Sequence, residues 1–328
     1  VEIAGLALVL LLILGAEFVN GWTDAPNAIA TVVSTRSLSP LQAVIMAGVL
    51  NLAGVMSGTA VATTIAKDII DPAVVDLPTV GGAMVGIIIW STIAALWGIP
   101  TSETHALLAG LAGAGLATAG PEALVAEGWR KAGLGLIFST FFGFGGGILM
   151  ISVIYRVFQR ASPGKTKNLF RYLQIGSSAF MAFGHGSNDG QKFMGAFVLA
   201  LFLAGWTPVL EIPFWVMLMC AVVMFFGTIS GGWRIIQTMG MRVTKLETHQ
   251  GFAAETAAAT TIQIASFLAI PVSTTHTIST AIMGVGAARR ASAVRWGVTA
   301  QIVTAWIVTF PVCGFISWSV VKLVNLII

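Results

Sequence analysis

Ten stretches of nearly unbroken apolar residues run along the chain. Five cover 3–34, 41–66, 80–99, 102–119 and 132–156, and five more cover 172–204, 212–231, 251–270, 273–288 and 295–326. Several approach the ~20 residues that a helix needs to cross the hydrocarbon core of a bilayer. None shows the short, strict alternation of a barrel strand. The pattern predicts an all-α polytopic membrane protein, built as two halves of about five segments each.

Polar residues interrupt this pattern in pairs. Residues 100–106 read Pro-Thr-Ser-Glu-Thr-His-Ala, and residues 271–277 read Pro-Val-Ser-Thr-Thr-His-Thr. A second pair lies upstream, Gly21-Trp22-Thr23-Asp24 and Gly186-Ser187-Asn188-Asp189. The spacings agree: Asp24 to Asp189 is 189 − 24 = 165 positions, and Thr104 to Thr275 is 275 − 104 = 171. One half of the chain is therefore expected to be a diverged copy of the other. Polar groups repeated in an apolar chain are costly in lipid and point to function.

Composition supports the same class. The chain is 56% hydrophobic and 9% charged, with mean hydropathy +0.91. Soluble domains carry about 25% charged residues. Residues 3–16 lack the basic start of a signal peptide. Cys220 and Cys313 lie inside apolar stretches and follow no disulfide or metal spacing.

An odd number of segments per half places the second copy upside down, giving two inverted-topology repeats. The expected organisation is 1–156 for the first repeat, 157–171 for a basic cytoplasmic linker and 172–328 for the second repeat. Broken or re-entrant helices are expected at the midplane, and the first segment of each half is expected to break at its Asp motif. Arg156, Arg160, Lys165, Lys167 and Arg171 stand together without an acid. Positive-inside bias explains them better than nucleic-acid binding does. The same count puts 35–40, 232–250 and 289–295 inside, and 67–79, with Asp68, Asp71 and Asp76, outside. Both termini then fall outside the plasma (inner) membrane.

Each Pro-x-Ser-x-Thr-His reads as a helix start. The proline cannot extend a preceding helix, and Ser102 or Ser273 is a natural N-cap. The free N–H groups and positive dipole end then point at whatever lies in front. Hydroxyl donors, among them Thr104 and Thr275, complete an anion cradle. Two cradles related by a pseudo-two-fold would hold an oxyanion from opposite sides. His105 and His276 stand beside them.

The Asp motifs read as cation or proton sites. Asp24 has Asn20 and Asn27 near it, and Asp189 has Asn188 and Gln191. Carboxylate and amide oxygens are hard ligands that suit Na⁺-like or divalent cations, and a carboxylate also carries a proton. The halves differ at one place: Asn27 follows Asp24 by three residues, whereas Lys192 follows Asp189 by three. An ammonium there can pair with the carboxylate on one helix face. Lys192 reads equally as a built-in cation that reduces the need for mobile ones or as a lysine that snorkels to an interface. Glu17, His185 and Glu255 are further intramembrane ionisable residues. Glu255 reads equally as a proton relay or as a hydrogen-bonded packing acid.

The four motifs together resemble the inorganic phosphate transporter (PiT) family over nearly the whole chain. Asn20-Gly21-Trp22-Thr23-Asp24-Ala25-Pro26-Asn27-Ala28 is similar to its first signature. His185-Gly186-Ser187-Asn188-Asp189-Gly190-Gln191-Lys192 is similar to its second, in the form typical of bacterial low-affinity phosphate permeases. Pro271-Val272-Ser273-Thr274-Thr275-His276 is also a hallmark. The resemblance implies secondary active symport of inorganic phosphate with H⁺ or Na⁺ by alternating access. It places phosphate at Ser102, Thr104, Ser273, Thr274 and Thr275, and cation coupling at Asp24, Asn27, Asn188 and Asp189. Thr23, where many members have Asn, and Glu103, an acid inside an anion cradle, depart from the pattern and tilt the coupling ion towards H⁺.

The expected partners are phosphate, the coupling cation and membrane lipid, with no nucleic acid and no cofactor; a homodimer is also entertained. Sulfate or metal–phosphate carriage on the same fold is the alternative within the class. An intramembrane enzyme with an aspartyl or Ser-His site and an anion channel are the readings from other classes. Full duplication of the motifs argues against the enzyme, and the coupled carboxylates argue against the channel.

Overall fold

The structure, a computed structural model, describes residues 3–327. The first half holds α1 (Ile3–Ser34), α2 (Pro40–Val55), α3 (Ala60–Asp68), α4 (Leu77–Trp97), α5 (Glu103–Ala119) and α6 (Ala126–Val157). The second holds α7 (Pro163–His185), α8 (Gln191–Leu203), α9 (Phe214–Ser230), α10 (Trp233–Gln237), α11 (Thr248–Phe267), α12 (Thr274–Arg289) and α13 (Trp296–Ile327). One wide π turn, Gly186–Gly190, joins α7 to α8, so the three act as the counterpart of α1. Helix α7 begins inside the basic stretch 157–171.

Local chemistry sets the boundaries. Ser39 and Gln42 form a capping box on α2 with Pro40 in its first turn, and Asp76 with Thr79 does the same for α4. Gly98 ends α4 in the left-handed conformation at φ 68°. The equivalent position one repeat later, 98 + 171 = 269, is Ala269, also left-handed at φ 56°. Both halves thus turn the same way two residues before the prolines of the anion motifs.

Two apolar cores flank a polar layer, and they reveal the inverted topology. Helix α1 gives Leu6, Val9, Ile13 and Ala16 to one core and Ala28, Ile29 and Val32 to the other. The counterpart runs the opposite way: α7 gives Phe170, Met181 and Ala182 to the second core, and α8 gives Phe193, Phe197 and Leu201 to the first. Helix α5 enters the first core and α12 the second. Their N-termini therefore meet at the polar layer from opposite sides. The protein is an all-α polytopic membrane fold of two inverted-topology repeats.

The repeats interlock. Helix α5 packs along α13, and α12 packs along α6. The crossings near the centre are equally paired. Gly227 lies against the Phe18 carbonyl, and Gly54 against the Phe183 carbonyl, with no room for a Cβ at either glycine. The two crossings are the same contact one repeat apart: 18 + 165 = 183 and 54 + 173 = 227.

Helix breaks do occur, although one differs from expectation. The pairs α2/α3 and α9/α10 bend by 66° and 61° at equivalent positions. Helix α1, by contrast, runs unbroken through Asp24 with Pro26 inside it. Proline removes one backbone donor, which frees the Trp22 carbonyl. Gly232 packs beside that carbonyl and the proline ring, too close for a Cβ to fit without a shift. Among the described residues, four helices are each long and apolar enough to cross a membrane, and counting each bent pair as one span gives six.

Candidate functional site

The two anion motifs face each other. Ser102 caps α5 by accepting from the His105 N–H at 3.2 Å, and Ser273 caps α12 by accepting from the His276 N–H at 3.1 Å. The Ser273 hydroxyl donates to the Ser102 hydroxyl at 2.8 Å. The Ser273 N–H is held by the Ser139 hydroxyl of α6 at 3.1 Å. All of these groups are buried. Two helix N-termini thus converge on one point with their hydroxyls already assembled.

The Asp motifs join the same cluster. The Thr275 hydroxyl donates to Asp24 at 3.1 Å, and the Asn27 amide donates to Thr275 at 3.0 Å and Thr274 at 3.2 Å. The Thr274 hydroxyl donates to the Asp189 carboxylate. Lys192 donates to Asp189, to the Thr104 hydroxyl at 2.6 Å and to the Val272 carbonyl at 2.8 Å. His185 Nε2 lies 3.3 Å from Asp189. Ligand atoms of Asp24, His185 and Asp189 all lie within 4.8 Å of one another. Carboxylates this close and this buried need positive charge between them.

Other expected residues take supporting places. Both Glu103 oxygens accept hydroxyls, from Thr23 at 2.7 Å and Ser91 at 2.8 Å, which ties α5 to α1 and α4. Asn188 accepts from the Val272 N–H at 3.2 Å and donates to Ser266 at 2.9 Å, so it pins the strand-like lead into α12. Asn20 donates to Glu17 at 3.2 Å. Gln191 turns away and accepts from the Val61 N–H at 3.1 Å, near the start of α3. His105 and His276 meet edge to face, with ring centroids 4.4 Å apart, and His276 stacks on Trp306 at 3.6 Å.

Glu255 bonds to none of these. It forms its own buried network with the Thr31 and Ser177 hydroxyls and the Gln174 amide. A cavity of about 580 Å³, lined by Thr35, Arg36, Tyr155, Lys167 and His249 among others, lies beyond it and apart from the serine pair. Thr35 links the two, donating to Gln174 at 2.8 Å.

Sequence reasoning missed several partners. Asn51 donates to Thr228 at 2.9 Å and meets His185 Nδ1 at 3.0 Å, which orients the imidazole towards Asp189. A lone Asn in the apolar α2 was the available signal. Ser91 and Ser139 gave no signal, since small hydroxyls are common in membrane helices.

The comparisons with known proteins bear on a site of this kind. The model of the phosphate transporter family matches residues 20–165 and, again, residues 159–317. The chain belongs to the phosphate transporter family. The double match restates the duplication within one family. Among relatives of this family, a probable low-affinity inorganic phosphate transporter of Rhizobium meliloti is 45% identical over 92% of this chain and 91% of its own length. One of the same description from Bacillus subtilis is 39% identical over 98% of this chain and 97% of its own. A solved structure titled as the sodium-dependent phosphate transporter superposes with a TM-score of 0.93 at 25% identity, covering 99% of this chain and 100% of that one. The family resemblance seen in the motifs is thereby established.

Proposed function

We propose that this chain is a secondary active transporter that carries inorganic phosphate together with H⁺ or Na⁺ across the plasma membrane. One observation carries the reading. The hydroxyls of Thr274 and Thr275, next to the Ser273 cap, are bonded directly to Asp189 and Asp24. A group that touches the anion therefore also touches the groups that hold the cation. Neither charge can move without disturbing the other, which is the physical content of coupling.

In this mechanism phosphate is held by Ser102, Thr104, Ser273, Thr274 and Thr275, with the N-termini of α5 and α12 aimed at it. Asp24 and Asn27 hold the mobile cation, while Asp189, His185 and Asn188 shape the opposite wall. Anion and cation neutralise each other at the midplane. The repeats, 1–156 and 172–328 on either side of the basic 157–171 stretch, then rock between outward and inward states. The basic loops lie on the cytoplasmic side and both termini outside. The names of the relatives support transport rather than catalysis.

The test is uptake of labelled phosphate into proteoliposomes under imposed Na⁺ or H⁺ gradients, with sulfate and arsenate as competitors. The expected result is accumulation against the phosphate gradient, driven by one of the two ions and blocked by arsenate more than by sulfate. Equilibration without accumulation would identify a channel. Sulfate blocking better than arsenate would change the substrate.

A further inference from the structure

The two cation seats of the duplicated fold are not equivalent, and Lys192 is the reason. Superposing the halves by their spacing maps Asp189 onto Asp24 (189 − 165), Lys192 onto Asn27 (192 − 165) and Thr104 onto Thr275 (104 + 171). The bond from position 27 or 192 to its threonine obeys that map, whereas the Thr104 hydroxyl donates to the Val272 carbonyl and not to Asp189. In one seat the Asn27 amide donates to Thr275, which donates to Asp24. In the other the Lys192 ammonium donates to Thr104 and to Asp189.

What each seat still offers differs. Around Lys192 Nζ stand a carboxylate, a hydroxyl and the Val272 carbonyl, all oxygens, and all already taken by its protons. Oxygens of this kind are the hard ligands from which a small cation's shell is built. The ammonium has taken that place. In the Asp24 seat, Asn27 Oδ1 is buried and has no hydrogen-bond partner among the described residues. A buried amide oxygen left unpaired is costly unless a ligand completes it. The same amide's nitrogen donates to Thr275, whose hydroxyl donates to the Asp24 carboxylate, so amide, hydroxyl and carboxylate form one linked set.

The charge balance agrees. Lys192 is the one lysine or arginine that is buried among the described residues. The titratable groups around it are Asp189, Asp24, Glu17, Glu103, His105 and His185. One fixed positive charge cannot balance both aspartates, so a mobile one is still required at the Asp24 seat.

We infer that the Lys192 ammonium permanently fills the second-half cation seat, so that this chain moves one mobile cation fewer per anion than it would with an amide at position 192. The Asp24–Asn27–Thr275 seat is then the one through which a monovalent cation couples. The inference rests on the transport reading above and deepens it by fixing the asymmetry of the coupling.

The experiment compares the wild-type protein with Lys192→Asn in proteoliposomes, with the membrane voltage clamped by K⁺ and valinomycin. Phosphate accumulation at static head is measured against imposed Na⁺ gradients at fixed pH, and against pH gradients at fixed Na⁺. The log–log slopes for the two ions are summed. Phosphate speciation is the same for both proteins and drops out of the difference. The expected result is a summed slope larger by one in Lys192→Asn. Equal slopes overturn the inference.

A second measurement decides the case where the variant does not transport. Melting temperature in detergent is followed as Na⁺ is added and as pH is lowered, for Lys192→Asn and for Lys192→Asn with Asp189→Asn. The single variant should gain a cation-dependent rise that the double variant lacks. Identical responses overturn the inference. A wild-type protein that accumulates no phosphate sinks the transport reading instead, while the melting comparison still decides how the seat is filled.

Discussion

The Ser102 and Ser273 hydroxyl oxygens lie 2.8 Å apart, one from each half of the chain, each capping its own helix. For both to serve one oxyanion, the bond between them must open. The two serines are equivalent by symmetry, so their losses should be alike. Ser102→Ala and Ser273→Ala should each raise the half-saturating phosphate concentration by about 10-fold, as expected for a charge-assisted hydrogen bond of about 1.5 kcal/mol. Initial uptake rates against phosphate concentration check this. A large effect at one serine and none at the other would show that a single cradle binds.

Asp24 belongs to the coupling side of the cluster. Its carboxylate accepts from Thr275, which leaves the serine pair untouched. Asp24→Asn should abolish gradient-driven accumulation, while phosphate binding in detergent weakens by less than about 10-fold, because the lost group acts on phosphate only through Thr275. Accumulation and equilibrium binding, measured on the same preparation, separate the two effects. Full accumulation in the variant would take Asp24 out of the coupling.

Glu255 provides a control. Its carboxylate receives the Thr31 and Ser177 hydroxyls from α1 and α7 and makes no bond to the serine or aspartate cluster. Glu255→Gln replaces one accepting oxygen with a donor that faces a hydroxyl. A cost of about 1–3 kcal/mol in stability is expected from the mismatched buried pair. Half-saturation for phosphate should stay within about twofold, since no bond to the cradle is lost. Thermal unfolding in detergent and uptake kinetics together test this. A strong kinetic effect without destabilisation would give Glu255 a direct part in transport.

Ala269 sits at φ 56°, where its first-half equivalent is Gly98. A left-handed alanine costs roughly 1 kcal/mol that a glycine avoids. Ala269→Gly should therefore raise the melting temperature by a few degrees, roughly in line with that saving. A lower melting temperature would mean that the methyl group packs better than its backbone strain costs.

Much of this architecture was legible because duplication writes itself into the sequence. Two Pro-x-Ser-x-Thr-His runs and two Asp motifs at near-constant spacing were enough to bring the Ser102 and Ser273 motifs face to face, whereas the bond from Thr275 to Asp24 emerges only in the structure. The Asn27-to-Lys192 difference was visible for the same reason. Other features were not legible, because they depend on backbone. The Val272 carbonyl that takes a Lys192 proton has no side-chain signature. The direction of Gln191 follows from where α3 begins, which the apolar stretch 41–66 conceals. The continuity of α1 through Pro26, where Gly232 packs from a distant helix end, was equally hidden, because local propensity predicts a break there.

The most direct measurement of the shared cradle is a cross-link across it. With Cys220 and Cys313 first replaced by alanine, the Ser102→Cys and Ser273→Cys pair is oxidised in proteoliposomes, and phosphate uptake is followed before and after reduction. If one phosphate is gripped between the two motifs, oxidation should stop uptake, reduction should restore it, and phosphate present beforehand should slow the cross-linking. Normal uptake by the fully cross-linked protein, with cross-linking indifferent to phosphate, would contradict the account.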